Sequence, residues 1–199
     1  ESARIDGAIF QNYRGRAGQP YHAIAWQSGS LSIVNSLFRA SDGAIISGDG
    51  AASTLTISQS SFADAGLHIG RAAKFRMTTT TLANAPLRAE AVRVEWDDNI
   101  FEDADITTAP MIALPKGGTG RIEHNHFRPH AARPSDAPLI SVALDGRGPM
   151  ARSLVVKDNH IGFAQGASGQ ALFVGDGSAD GVSVGANELG TGITAYQRR

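Results

Sequence analysis
Two six-residue stretches decide the fold: Ile122-Glu-His-Asn-His-Phe127 and Val156-Lys-Asp-Asn-His-Ile161. Each runs from an apolar residue through two variable residues, a small polar residue and one more variable residue to a second apolar residue. The same order starts at Trp96 and Val184, with Asn99 and Asn187 in the polar slot, and at Ile33, Ile57 and Met77, with Ser36, Ser60 and Thr80 there. These copies close on Phe38, Phe62, Leu82, Phe101, Phe127, Ile161 and Leu189. A weaker eighth copy runs from Ile5 to Phe10 and carries Ala8 in the slot. Successive copies start 19 to 34 residues apart. In most of them another apolar residue stands two positions before the start, as in Leu31, Leu55, Phe75, Val94, Leu154 and Val182, which is the alternation of a strand.

A second strand recurs in step with the first. It follows a Gly, Pro or other turn residue and reads Ala23-Ile24-Ala25, Ala44-Ile45-Ile46, Leu67-His68-Ile69, Leu87-Arg88-Ala89, Met111-Ile112-Ala113, Leu139-Ile140-Ser141 and Ala171-Leu172-Phe173. Helical periodicity is absent. A unit of ~20–30 residues cannot bury its own apolar face, so such units must stack. Stacking pairs each strand with its copy in the next coil, ~4.8 Å away. The pattern therefore predicts an all-β chain, a right-handed parallel β-helix of about eight coils spanning residues 1–199 as one domain. Asn tolerates the left-handed conformation that a sharp bend requires, and its amide can bond both to the bend and to the next Asn. Asn99, Asn125, Asn159 and Asn187 should form an internal ladder, continued by the hydroxyls of Thr80, Ser60 and Ser36. A β-sandwich would have no reason to repeat a bend residue in register.

Bulk properties narrow the function classes. The 199 residues are 42% hydrophobic with a net charge of -1, which argues against disorder and gives no basic face for nucleic acid or a membrane surface. No apolar run approaches the ~18 residues of a membrane helix. The chain has no cysteine, so disulfides and thiolate metal sites are excluded. The opening Glu1-Ser2-Ala3-Arg4 reads as no signal peptide, which a mature secreted chain would also lack. No Gly-x-Ser-x-Gly, P-loop or His-Glu-x-x-His motif occurs.

With the strand–Asn–strand units in place, the chain resembles the right-handed parallel β-helix superfamily, the pectate-lyase-like fold. Gly66-Leu-His-Ile-Gly70 and Ile112-Ala-Leu-Pro-Lys-Gly-Gly118 resemble segments of the bacterial right-handed β-helix repeat proteins. The resemblance covers nearly the whole chain, but its motifs are structural. It implies a secreted or cell-surface (or periplasmic) bacterial setting and a chain-like acidic polysaccharide as partner, bound or cleaved as by a lyase. It is equally compatible with a non-catalytic structural or adhesive module of a larger surface protein or tailspike. Lyases of this fold use acidic calcium ligands and an Arg or Lys base. No such set matches here residue by residue, and the Asp-Pro-His-Asp signature of alginate epimerases is absent.

Stacking turns equal positions in neighbouring coils into spatial neighbours and so suggests candidate sites. Asp98, His124 and Asp158 share one row, where a divalent cation such as calcium would be the cofactor; His126, His160 and Glu188 share another. On the second strand, Leu67, Ile69, Leu87 and Ala89 pointing inward would leave His68, Arg88 and Glu90 outward, with Arg71 in the following turn and Lys116 further on. This is the strand along which carbohydrate-active members of the superfamily commonly place their cleft. There an Arg or Lys could neutralise a uronate carboxylate while a His or second Arg takes a proton, making His68, Arg88, Glu90 and Arg71 the catalytic candidates. Lys116 and the aromatic rings of Tyr21 and Trp26 are candidates for holding the sugar. The same reading continues the outward row into Ile112, Leu114, Ile140, Val142, Leu172 and Val174, an apolar stripe that a covering segment or a second copy of the chain would have to hide. Two loops complete the survey. Gly175-Asp-Gly-Ser-Ala-Asp-Gly181 only loosely resembles a calcium loop and reads as a turn, and the proline-rich Arg128–Pro138 segment could overhang a cleft.

Overall fold
The computed structural model describes residues 1–13, 22–41, 43–47, 53–91, 93–103, 108–134, 136–143, 153–178 and 181–198. Among them every regular element is a strand. The strands form three parallel sheets of eight strands each, a parallel β-helix whose every coil contributes one strand to each sheet. The first sheet runs from Ser2–Asp6 to Ser183–Val184, the second from Ile9–Gln11 to Glu188–Leu189, and the third from His22–Trp26 to Ile193–Arg198. No helix among the described residues is long and apolar enough to cross a membrane.

The hexad pattern accounts for the first two sheets completely. Ile5, Ile33, Ile57, Met77, Trp96, Ile122, Val156 and Val184 lie in one register row. Phe10, Phe38, Phe62, Leu82, Phe101, Phe127, Ile161 and Leu189 form the row across the bend. Both rows line the interior from Ile33 and Phe38 to Val156 and Ile161, while Leu189 in the last coil is exposed. Phe10, Phe38 and Phe62 stack with ring centroids 4.7 Å apart, and Phe101 lies 4.8 Å from Phe127. The coil spacing puts like rings at stacking distance, and each fully buried ring contributes roughly 1.5–3 kcal/mol.

The ladder runs along the bend between these sheets. Asn125 Oδ1 accepts both the backbone N–H of Asn99, at 3.0 Å, and its side-chain amide, at 2.9 Å. Asn159 does the same for Asn125, and Asn187 for Asn159. Thr80 N–H donates to Asn99 Oδ1 at 3.0 Å, and Ser36 N–H donates to Ser60 Oγ at 3.2 Å. The conformational assignment needs one correction. The left-handed residue is the one before the ladder position: Asn35, Gln59, Thr79, Asp98, His124 and Asp158 have φ between 50° and 54°. The ladder residue turns its amide inward, while its predecessor absorbs the reversal and points its own side chain to solvent.

The third sheet also corrects the sequence reading. Leu87 pairs with Ile112, and Ile112 with Ile140, which pairs with Val174. Ile112, Leu114, Ile140, Val142 and Val174 are fully buried in the core and are not an outward stripe. A slip of one residue exchanges the two faces of a strand. The row that contains His68 and Arg88 instead holds Ala25, Ile46, Ala113, Ser141, Gly175 and Gln197. Leu172 is the one member of the expected stripe outside this core. It is only 4% exposed, and it lies beside Gly175, above which sits Pro138 of the proline-rich segment. That segment is pinned from below. The Arg133 guanidinium is buried, pairs with Asp103 and donates to the carbonyls of Ala109 and Ala137. Burial lowers its pKa to about 10, which leaves it charged at neutral pH.

Candidate functional site
Each sheet turns one face to solvent, and the outer rows define three candidate surfaces. On the third sheet His68 and Arg88 are exposed neighbours, as expected. Glu90, however, is held by Lys116 at 2.7 Å and faces Arg88 at 3.7 Å. Two of the cations meant for a ligand therefore share the single carboxylate between them. Arg71 lies exposed in the turn. Trp26 is buried and donates its indole N–H to the Ser28 carbonyl at 3.0 Å, so its ring cannot stack on a sugar. Tyr21 lies outside the described residues.

The row of Asp98, His124 and Asp158 stands on the outside of the first bend. The three do not converge on a common point. His124 Nδ1 turns to Asp97 at 2.8 Å, and Asp158 takes Lys157 at 2.8 Å. Among the described residues no three His, Asp or Glu side chains gather as metal ligands. The three do not gather around a cation, and His124 and Asp158 belong instead to a lattice of ion pairs, with Lys74–Glu95 at 2.7 Å, Arg93–Glu95 at 2.9 Å and Lys157–Glu123 at 3.6 Å. Asp97 holds the His124 imidazole above its ordinary value, and Lys157 holds Asp158 below its own. Asp176, in the calcium-like loop, is occupied too. Its carboxylate accepts the N–H groups of Ser178 and Val182 and the hydroxyl of Tyr196, which caps a turn.

The second sheet carries a formed groove. A depression of about 480 Å³ runs across successive coils and is lined by Glu102, His126, Arg128, His130, His160 and the 162–165 segment. The outward row places His126 beside His160, ring centroids 5.4 Å apart, and His160 Nδ1 lies 2.9 Å from Glu188. The adjoining row explains the hollow. Glu102 and Arg128 are register partners and pair at 3.0 Å, but in the next coil the residue after Ile161 is Gly162, which has no side chain to fill the place. The chain then leaves the sheet, so that Phe163 and Gln165 form the far wall.

The His126, His160 and Glu188 row was legible in the sequence, whereas Arg128, His130, Phe163 and Gln165 were not assigned to it. Their signal is Glu102, Arg128 and Gly162, each directly after the closing apolar residue of its hexad, where two long polar side chains give way to none. Chemically, the groove offers three imidazoles, one guanidinium paired with one carboxylate, one amide and one aromatic face. Comparison of the chain with protein families, with curated proteins and with solved structures finds no match to any of them.

Proposed function
We propose that this protein is a non-catalytic β-helix module, of a secreted or cell-surface bacterial kind, that binds an acidic polysaccharide along the groove of its second sheet. The observation that carries the reading is the groove itself, which crosses several coils and collects His126, Arg128, His130, His160 and Gln165 around Phe163. An extended sugar chain is itself a repeat, and a hollow built on stacked coils offers it similar donors at regular steps. Arg128 supplies the fork for a carboxylate, and the ring of Phe163 a face for a pyranose. The test is retention on immobilised polygalacturonate at about pH 5, below the ordinary imidazole range, against neutral dextran. Retention on polygalacturonate alone is expected. Arg128→Ala should weaken it roughly tenfold or more, the loss of one charge-assisted bond of ~1.5–3 kcal/mol. Equal behaviour on both matrices would overturn the reading.

A second reading, lyase cleavage on the third sheet, is favoured by the exposed adjacency of His68 and Arg88. It predicts an unsaturated, ultraviolet-absorbing product from a uronate polymer, and loss of that product in Arg88→Ala. A polymer left intact after prolonged incubation would eliminate it.

A further inference from the structure
We infer that the second-sheet groove is proton-gated: it holds an anionic polymer in mildly acidic surroundings and releases it as the pH rises through the imidazole range. This rests on the binding reading above and adds its regulation.

The argument is a census of charge. The strand Ile100–Asp103 presents Glu102 to the groove; the strand His126–Pro129 presents His126 and Arg128, with His130 directly after it, its backbone N–H donating to the buried Asp103 that pairs with Arg133. The strand His160–Ile161 presents His160, whose register partner Glu188 stands outside the lining, and the outer wall of Phe163, Ala164 and Gln165 is uncharged. Arg128 is thus the one fixed cation facing the groove among the described residues, and Glu102 already pairs with it. Glu188 adds a second carboxylate beside His160. With neutral imidazoles the lining carries no net charge, Glu102 offsetting Arg128, and it offers a polyanion no net attraction. With His126, His130 and His160 protonated it becomes positive. Histidine is the side chain whose ordinary titration falls between about pH 5 and 8. Three in one hollow convert a small pH change into a build-up of positive charge, and a cleft of one sign concentrates ligands of the other.

Two features make this more than scattered surface histidine. Four of the six histidines of the chain are His124, His126, His130 and His160, and three of these line this one groove. His126 and His160 also occupy the same register position in consecutive coils, where two protonated rings would repel. A polyanion lying across them relieves that repulsion, so proton uptake and ligand binding favour each other. Linkage then requires that binding at intermediate pH take up protons.

The experiment measures the affinity of the whole chain for polygalacturonate at about pH 5 and about pH 8, at constant ionic strength, with dextran sulfate as a polyanion whose own charge does not titrate in this range. For both polymers the affinity should be roughly tenfold or more higher at the acid end. The triple variant His126→Gln, His130→Gln, His160→Gln should lose that gain, while His124→Gln, outside the groove, should keep it. All these side chains are exposed, and matching thermal melts verify that each variant is folded. Equal wild-type affinity at both pH values would overturn the gating and leave the binding reading standing. Retention of the full acid gain by the triple variant would overturn it as well. Absence of binding at both pH values would bring down the binding reading, and the gating with it.

Discussion

The inside and the outside of the first bend obey the same geometry and carry opposite kinds of polar chemistry. Inside, Asn99, Asn125 and Asn159 are fully buried or nearly so, and every amide meets a fixed partner in the next coil. Outside, one residue away, Asp98, His124 and Asp158 sit at the left-handed position, and His124 and Asp158 take whatever charge lies nearest, Asp97 on the neighbouring strand and Lys157 next in the chain. Stacking supplies a ladder in both places. Only the inner one has no water to fall back on, so only there is the identity of the residue dictated. A buried donor left unpaired costs about 1–3 kcal/mol, whereas an exposed ion pair is worth about 0–1 kcal/mol.

The largest effect expected from this contrast is at Arg133, whose guanidinium is buried against the buried carboxylate of Asp103. Arg133→Met should destabilise by about 3–5 kcal/mol, because it leaves Asp103 as an unpaired buried carboxylate. The double variant Arg133→Met, Asp103→Leu should recover much of the loss. Chemical denaturation measures both. A single variant within about 1 kcal/mol of wild type would mean that water reaches this pair and that it belongs with the outer charges.

Next come the rungs of the ladder, where the two chemistries of the polar slot can be compared directly. Asn125→Ala strips partners from the backbone N–H and the side-chain amide of Asn99, and should cost about 2–3 kcal/mol. Ser60→Ala strips one, the Ser36 N–H, and should cost about 1 kcal/mol. Equal losses at the two positions would show that the side-chain-to-side-chain bonds of the Asn rungs add nothing beyond their single backbone bond.

The contrast also explains how much of the molecule could be read in advance. The first two sheets were legible because the hexad has constant length: two inward residues at a fixed separation across one bend leave a single register. The third sheet is entered through connections of variable length. Three residues, Asn84, Ala85 and Pro86, separate the strands Thr81–Ala83 and Leu87–Ala89, whereas a longer run separates Asp103 from Ile112, and Met111 beside Ile112 offers two equally apolar choices of phase. The structure chooses Ile112 because its partner Leu87 already faces the core. The groove was half legible for a related reason. His126, His160 and Glu188 sit inside the repeat and inherit its register, but His130, Phe163 and Gln165 lie beyond the ends of the strands, where no repeat constrains them. Arg133 was invisible in its proline-rich loop, since nothing in the spacing of Arg128–Pro138 says which arginine turns inward.

The smallest effect belongs to the outer ladder and concerns its pH dependence. His124 has its pKa raised chiefly by the hydrogen bond to Asp97, which outweighs the opposing effect of burial, with the charges of Asp97, Asp158 and Glu123 adding to it. A raised folded-state value means that the folded chain holds the proton more tightly than the unfolded chain does. The stabilisation is therefore fully present below the unfolded imidazole pKa of ~6.5 and is lost as the pH rises through the folded value. Because His124 and Asp97 are both more than half exposed, solvent screens the pair, and its contribution should stay below ~0.5 kcal/mol. His124→Gln should accordingly melt slightly below wild type at about pH 5.5 and level with it by about pH 8, and molar salt should erase the acid-side difference. A deficit that persists unchanged at alkaline pH would place His124 among the obligatory partners of the bend, and the division between its inner and outer ladders would have to be redrawn.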